Sequence, residues 1–329
     1  MVELLDLRNV SVQYDTDSGT VYAVNNLNLS IGKKETLGLV GETGAGKTTT
    51  ALAIMQLIQD PPGKITSGEI ILEGQDLMNV KEKDMFNIRG NKISMIFQDP
   101  MTSLNPIMTV GDQIKEVIEL HQDLSKEELK VKTEEMLELV GIRKERLNDY
   151  PHQFSGGMKQ RVVIAMALSC NPDLIIADEP TTALDVTIQA QVLELMKDLK
   201  EQYGTSLIMI THDLGVVAEI CDYVSVIYAG SIVEHAAVED LYAEPLHPYT
   251  QGLFDSIPSI DEDVDKLKVI SGSTPDPSNL PTGCRFYPRC KHCMEICKYK
   301  YPEFREARPG HFVACHLYNP EGGEAHDQD

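Results

Sequence analysis

The sequence predicts an α/β protein built on a phosphate-loop core sheet with helices, carrying a helical insertion and a small cysteine-rich C-terminal appendage. Three observations carry this expectation. A short apolar run, Thr36-Leu37-Gly38-Leu39-Val40, meets a glycine-rich loop, Gly41-Glu42-Thr43-Gly44-Ala45-Gly46-Lys47-Thr48, which opens into an apolar-faced run from Thr49 to Ile58. A second apolar run, Leu174 to Ala177, ends in two carboxylates, Asp178 and Glu179. Five cysteines, Cys284, Cys290, Cys293, Cys297 and Cys315, crowd the last fifth of the chain.

The loop reads G-x-x-x-x-G-K-[ST] between a strand and a helix, the setting in which that spacing binds phosphate. Its glycines carry no Cβ, so backbone N–H groups can turn toward an anion. The helix that follows adds the positive end of its dipole. Lys47 suits the β- and γ-phosphates of a nucleotide, and the Thr48 hydroxyl, followed by Thr49, suits Mg²⁺.

Over the 329 residues, the 42% hydrophobic and 24% charged fractions are those of an ordinary globular protein. The length suffices for two domains, or one with an appendage. No apolar run approaches a membrane span of about 18 residues, and no basic-then-apolar leader opens the chain, so a cytoplasmic protein is expected. A net charge of −22 argues against non-specific binding to nucleic acid.

Residues 2–12 and 21–31 read as early strands around a polar turn, with Tyr14 and Tyr22 as candidate aromatics for stacking on an adenine ring. Asp60-Pro61-Pro62-Gly63 closes the first helix, and Ser67 to Gly74 reads as a strand ending in a turn. Ile93 to Gln98 is a further strand, broken by Asp99-Pro100; Gln98 stands at its end, where ligands gather in α/β sheets. From about 101 to 153 the character becomes helical. Ser125 and Glu128 form a capping-box pattern, and Leu129, Met136, Leu137 and Val140 share one helix side. Ser155-Gly156-Gly157 opens a helix from Met158 to Leu168 and offers a second anion site. Asp178 suits Mg²⁺, and Glu179 suits polarising an attacking water. Thr182-Ala183-Leu184-Asp185 turns into a helix from Val186 to Tyr203. Ser206 to Thr211 is another buried strand, ending at His212.

Cys170 and Cys221 lie singly in apolar surroundings and read as core thiols. The remaining five suggest metal binding ahead of disulfides in a reducing compartment. Their spacing fits neither paired Cys-x-x-Cys zinc units nor the bacterial ferredoxin run.

Taken in order, these motifs resemble the ABC-type ATPases over about residues 1–235. Gly41 to Thr48 is similar to Walker A, Gln98 to the Q-loop glutamine and Ser155-Gly156-Gly157-Met158-Lys159 to the signature. Leu174 to Asp178 with Glu179 is similar to Walker B, Ala183-Leu184-Asp185 to the D-loop and His212 to the switch histidine. Phe154 and Met158 depart from the more usual LSGGQ signature. The resemblance implies an antiparallel β subdomain, with Tyr14 favoured as the stacking residue. It implies catalytic roles for Glu179, His212 and Gln98, and Mg²⁺ on Thr48, Gln98 and Asp178. It also implies a head-to-tail pair in which ATP on one phosphate loop meets Ser155, Gly156, Gly157 and Asp185 of the other subunit.

The tail narrows the resemblance. His247-Pro248-Tyr249-Thr250-Gln251-Gly252-Leu253, Ser256-Ile257-Pro258, an acidic linker from Asp261 to Asp265, and Pro281 to Cys290 resemble the D-type ATPases of dipeptide and oligopeptide importers, which include nickel importers. This implies an ATPase domain over residues 1–255 and an extension over 256–329. It further implies a second homologous ATPase, two transmembrane permease subunits and an extracytoplasmic binding protein, with this chain at the cytoplasmic membrane face. Members with the spacing C-x5-C-x6-C-x17-C carry a [4Fe-4S] cluster. Here Cys284, Cys290, Cys297 and Cys315 match it and Cys293 is spare; zinc is the alternative. A nickel importer ATPase and a soluble ABC ATPase are the competing functions, but the latter usually carries a coiled coil or a second cassette.

Overall fold

A computed structural model describes residues 3–182, 184–256 and 270–318. Ala183 of the D-loop pattern, Ile257-Pro258 and the acidic linker Asp261 to Asp265 lie outside the described residues. The chain forms two compact units that alternate along it. The first comprises Met1–Leu5, Ile31–Leu37 and Leu72–Ile220, and the second Asp6–Ser30, Gly38–Ile71 and Cys221–Asp329.

In the first unit, strands Ile93–Ile96, Leu174–Asp178 and Ser206–Thr211 lie side by side and parallel, with Ile93 opposite Leu174 and Asp178 opposite Ile210. The latter two strands are buried along their whole length, which is why they read as unbroken apolar runs rather than alternating ones. Between the first and second strands come helices Val110–His121 and Lys126–Leu139, then Gly156–Leu168. The capping box at Ser125 is present in both directions. Leu129, Met136, Leu137 and Val140 are all buried, as their spacing predicts. The helix after Asp185 spans Val186–Tyr203 and stops at Gly204, whose φ of 65° only glycine adopts at little cost.

In the second unit, the bulk of strands Gly19–Gly32, Glu3–Thr16 and Gly63–Leu72 lie next to one another in that order. A separate antiparallel run orders Tyr223–Tyr228, Ser231–Ala237, His311–Val313 and Arg305–Arg308. The strand Thr36–Val40 is buried throughout. The helix after the glycine-rich loop runs Lys47–Ile54 rather than Thr49 to Ile58. Gln56 takes a left-handed φ of 52°, which ends it, and Leu57 is left 38% exposed. Cys170 and Cys221 are buried, as expected. Among the described residues no helix is long and apolar enough to cross a membrane.

Two histidines, one buried and one half-buried, give the second unit an acid limit. Burial pushes His247 from its ordinary 6.5 down to about 4, with Glu234 pulling the other way. Burial pushes His235 to about 4 as well, aided by His311. Both are therefore neutral when folded, whereas the unfolded chain takes up protons below about 6.5. Their contribution is complete above that pH and is lost as pH falls toward 4. The melting temperature is expected to drop across this window. His247 Nδ1 accepts the Tyr249 N–H at 3.0 Å to cap a helix. His247→Asn, which keeps a cap acceptor but does not titrate, should flatten the drop; an unchanged pH profile would refute the assignment.

Candidate phosphate and catalytic site

The glycine-rich loop lies in the second unit. Lys47 is only 7% exposed and donates to the carbonyl oxygens of Gly41 at 2.7 Å and Glu42 at 3.1 Å. The helix behind it, Lys47–Ile54, has Gly46 as its N-cap and so no side-chain cap, and the positive end of its dipole faces the loop. Gly46 has a φ of 105°, and a Cβ there would fall 2.5 Å from the Ala23 carbonyl oxygen. Gly41 is equally confined, since a Cβ would fall 2.2 Å from the Ile227 carbonyl oxygen. Gly41 thus serves close packing, and Gly46 serves both packing and backbone freedom. Thr43, Gly44, Ala45, Thr48 and Thr49 complete the loop and the first helical turn, and the Ala45 carbonyl accepts the Gly230 N–H at 2.8 Å. Tyr14 is half-buried, its ring carbons lying 2.6–2.7 Å from where a Gly63 Cβ would stand, whereas Tyr22 is 43% exposed.

In the first unit, the expected residues Gln98 and His212 meet on the Glu179 carboxylate, joined by Thr182. Glu179 Oε2 accepts from Gln98 Nε2 at 3.0 Å and from the Thr182 hydroxyl at 2.9 Å, while Oε1 lies 3.2 Å from His212 Nδ1. The Glu179 side chain is 15% exposed and that of His212 65%. Glu179 has a φ of 47°, unusual for a residue with a Cβ. Its N–H donates to the Ile210 carbonyl at 2.8 Å and its carbonyl accepts the Thr182 N–H at 3.1 Å. These bonds hold a conformation that costs about 1–3 kcal/mol and aims the carboxylate at its three partners. Asp178 directly before it is 3% exposed.

Ser155 caps helix Gly156–Leu168 by accepting the Met158 N–H, as expected, but the helix starts at Gly156. Gly157 has a reason that its sequence did not reveal. A Cβ there would fall 2.4 Å from Ile188 Cγ2, so glycine allows close approach to helix Val186–Tyr203. Asp185 caps that second helix by accepting the Ile188 N–H at 3.0 Å.

Comparison with known proteins agrees with this geometry. Residues 24–182 match the family model described as ABC transporter, and residues 233–297 the one described as oligopeptide/dipeptide transporter, C-terminal region. The chain is 52% identical over 326 residues to the oligopeptide transport ATP-binding protein AppD of Bacillus subtilis, covering 98% of this chain and 99% of that protein. The chain belongs to the ABC transporter ATP-binding proteins of the oligopeptide/dipeptide group. Within that family it is also 48% identical over 314 residues to OppD of Escherichia coli K12, covering 95% of this chain and 92% of that protein. A solved structure, the dimeric post-hydrolysis state of the ATP-binding cassette MJ0796 bound to ADP and Pi, matches with a TM-score of 0.64 at 29% identity. It covers 71% of this chain and 98% of the cassette.

For an ABC cassette, the two departures in the signature are accommodated by one arginine. The Arg146 guanidinium lies 4.1 Å from the centroid of the Phe154 ring and donates to Met158 Sδ at 3.4 Å. Arg146 is itself held by Asp149 at 2.7 Å. Phe and Met thus fill a packed position beside the signature without displacing Ser155, Gly156 or Gly157.

The cysteine tail differs from expectation. Among the described residues no group of three or more His, Cys, Asp or Glu is arranged to hold a metal ion. Cys284, Cys290, Cys297 and Cys315 therefore do not form a ready ligand cage for a [4Fe-4S] cluster or zinc. Burial raises the thiols of Cys284, Cys290 and Cys315, which favours their protonated form, and a protonated thiol is a poor metal ligand. They do share one electrostatic neighbourhood. Burial pushes Cys315 up to about 12, with Cys284, Cys290 and Cys297 adding to the shift. Burial likewise pushes Cys284 up to about 11, with Cys297 and Cys290 adding. The donor set suits a thiophilic metal group, which would replace the protons.

Thr182 reads in the sequence only as part of a turn, yet its hydroxyl donates to the Glu179 carboxylate at 2.9 Å. A threonine three residues after an acid carries no signal until the φ of that acid folds the turn back.

Proposed function

We propose that this chain is the ATP-hydrolysing subunit of an importer of dipeptides or oligopeptides. The observation that carries the reading is similarity along the whole chain, tail included, to ATP-binding proteins of oligopeptide transport. Gly41 to Thr49 bind the ATP phosphates, Lys47 neutralises them, and Thr48, Gln98 and Asp178 hold Mg²⁺, which offsets phosphate charge. Glu179 polarises the attacking water, oriented by Gln98 and Thr182, and shares its charge with His212. Ser155, Gly156, Gly157 and Asp185 close over the nucleotide of a second, homologous ATPase subunit, and Tyr14 stacks on the adenine. Hydrolysis removes the charge that joins the pair, and the opening is passed to two permease subunits served by an extracytoplasmic binding protein. The chain acts at the cytoplasmic membrane face, with residues 1–255 as the ATPase domain and helices between about 101 and 153 facing the permeases.

The extension, residues 256–329, holds a [4Fe-4S] cluster on Cys284, Cys290, Cys297 and Cys315, with zinc as the alternative and Cys293 spare. What supports this is the shared electrostatic neighbourhood of those thiols. Nothing in ATP hydrolysis requires electron transfer, so the group serves structure or sensing.

The test is ATP turnover by the assembled complex in vesicles with binding protein present. Short peptides should raise turnover severalfold. Stimulation by nickel instead, or turnover indifferent to permeases and cargo, would overturn the peptide-import reading.

A further inference from the structure

The phosphate loop carries an acid at its second position. Glu42 stands beside the N–H groups that are to receive a triphosphate, and an uncompensated carboxylate there opposes anion binding. Its partner comes from the cysteine-bearing extension. Arg289, one residue before Cys290, donates to Glu42 Oε2 at 2.8 Å and Oε1 at 3.0 Å. This is a two-pronged pair of the kind that adds geometry to charge. The Arg289 side chain is 5% exposed and that of Glu42 25%, so water screens the pair weakly. The guanidinium is fixed further by the Ser271 carbonyl at 3.2 Å and the Tyr228 hydroxyl at 3.3 Å.

The rest of Glu42 is pinned as well. Its N–H donates to the Tyr249 hydroxyl at 2.9 Å, and its carbonyl accepts from Lys47 at 3.1 Å. Tyr249 is fully buried, 4.5 Å from the Tyr228 ring and 5.5 Å from that of Phe286. The same aromatic cluster thus braces both Tyr249 and Arg289.

We propose that Arg289 is a positioning residue for the phosphate loop, neutralising Glu42 from the extension so that the loop accepts ATP. This rests on the reading of Gly41 to Thr48 as the nucleotide site. It gives the extension a task at that site that needs no movement of electrons.

The test is equilibrium titration of the full chain with Mg²⁺ and a fluorescent ATP analogue. Arg289→Ala is expected to weaken binding roughly tenfold, the scale of a lost hydrogen bond between charged groups. Adding Glu42→Gln to Arg289→Ala should recover most of the loss, because no carboxylate then lacks its partner. Arg289→Lys, which restores charge without the fork, should fall between. A fold defect caused by Arg289→Ala would not be recovered by Glu42→Gln, so a double variant as weak as the single one overturns the proposal. So does an Arg289→Ala chain that binds as wild type. Lys47→Ala separates the underlying reading: if it binds nucleotide as well as wild type, the loop is not the site and both readings fall.

Discussion

Glu179→Gln is expected to lower ATP turnover by about 10²–10⁴-fold while leaving ATP binding intact. The amide has the size and shape of the carboxylate, so it keeps an oxygen for the Thr182 hydroxyl and fits beside Gln98. It loses the negative charge that polarises water and faces His212 Nδ1 at 3.2 Å. With the γ-phosphate uncleaved, the attraction that closes two subunits around ATP persists. The paired species should therefore accumulate on adding ATP and Mg²⁺, and size-exclusion chromatography or light scattering will report it. Turnover within a fewfold of wild type would remove Glu179 from the catalytic role.

Purified without oxygen, the wild-type chain is expected to carry about four irons and four sulfides with a broad visible absorption, and Cys297→Ser to carry neither. Cys297 is the informative position because it is buried and its carbonyl accepts the Cys284 N–H at 2.8 Å. A Cβ on Gly283 would fall 2.2 Å from that same carbonyl oxygen, so the backbone around these two cysteines is closely fitted. Serine preserves that fit and removes only the sulfur. Because metal uptake must displace protons from thiols pushed up to about 11 at Cys284 and about 12 at Cys315, retention should weaken as pH falls. Stoichiometric zinc would replace the cluster reading, and a metal-free chain would leave the cysteines as packing residues.

What the sequence made legible followed from locality. The strand Thr36–Val40 and the helix Val186–Tyr203 are readable because their signals, an apolar run and a turn leading into the helix at Asp185, are local to the elements themselves. Glu179 was legible as an acid after a core strand. Its left-handed φ and the arrival of Gln98 from 81 residues earlier were not. Gly157 looked like an anion-site glycine because its contact, Ile188, belongs to another helix. The apolar pattern carries on through Leu57 and Ile58 past the true helix end, because the left-handed backbone at Gln56 leaves no local mark in the sequence. Arg289 was unreadable as a partner of Glu42, since nothing local links residues 247 positions apart.

That separation bears on how the protein is made. The segment with the phosphate loop leaves the ribosome before Tyr249 and Arg289, which stand 207 and 247 residues further on. At ordinary synthesis rates the delay to Arg289 is roughly 10–50 s. Throughout it Glu42 lacks its counter-ion, and until Tyr249 is made its amide lacks its acceptor as well. The second unit, assembled from three separated stretches, is completed only after the stretch that begins at Cys221 has been made. The nucleotide loop is thus synthesised well before the residues that hold it in place.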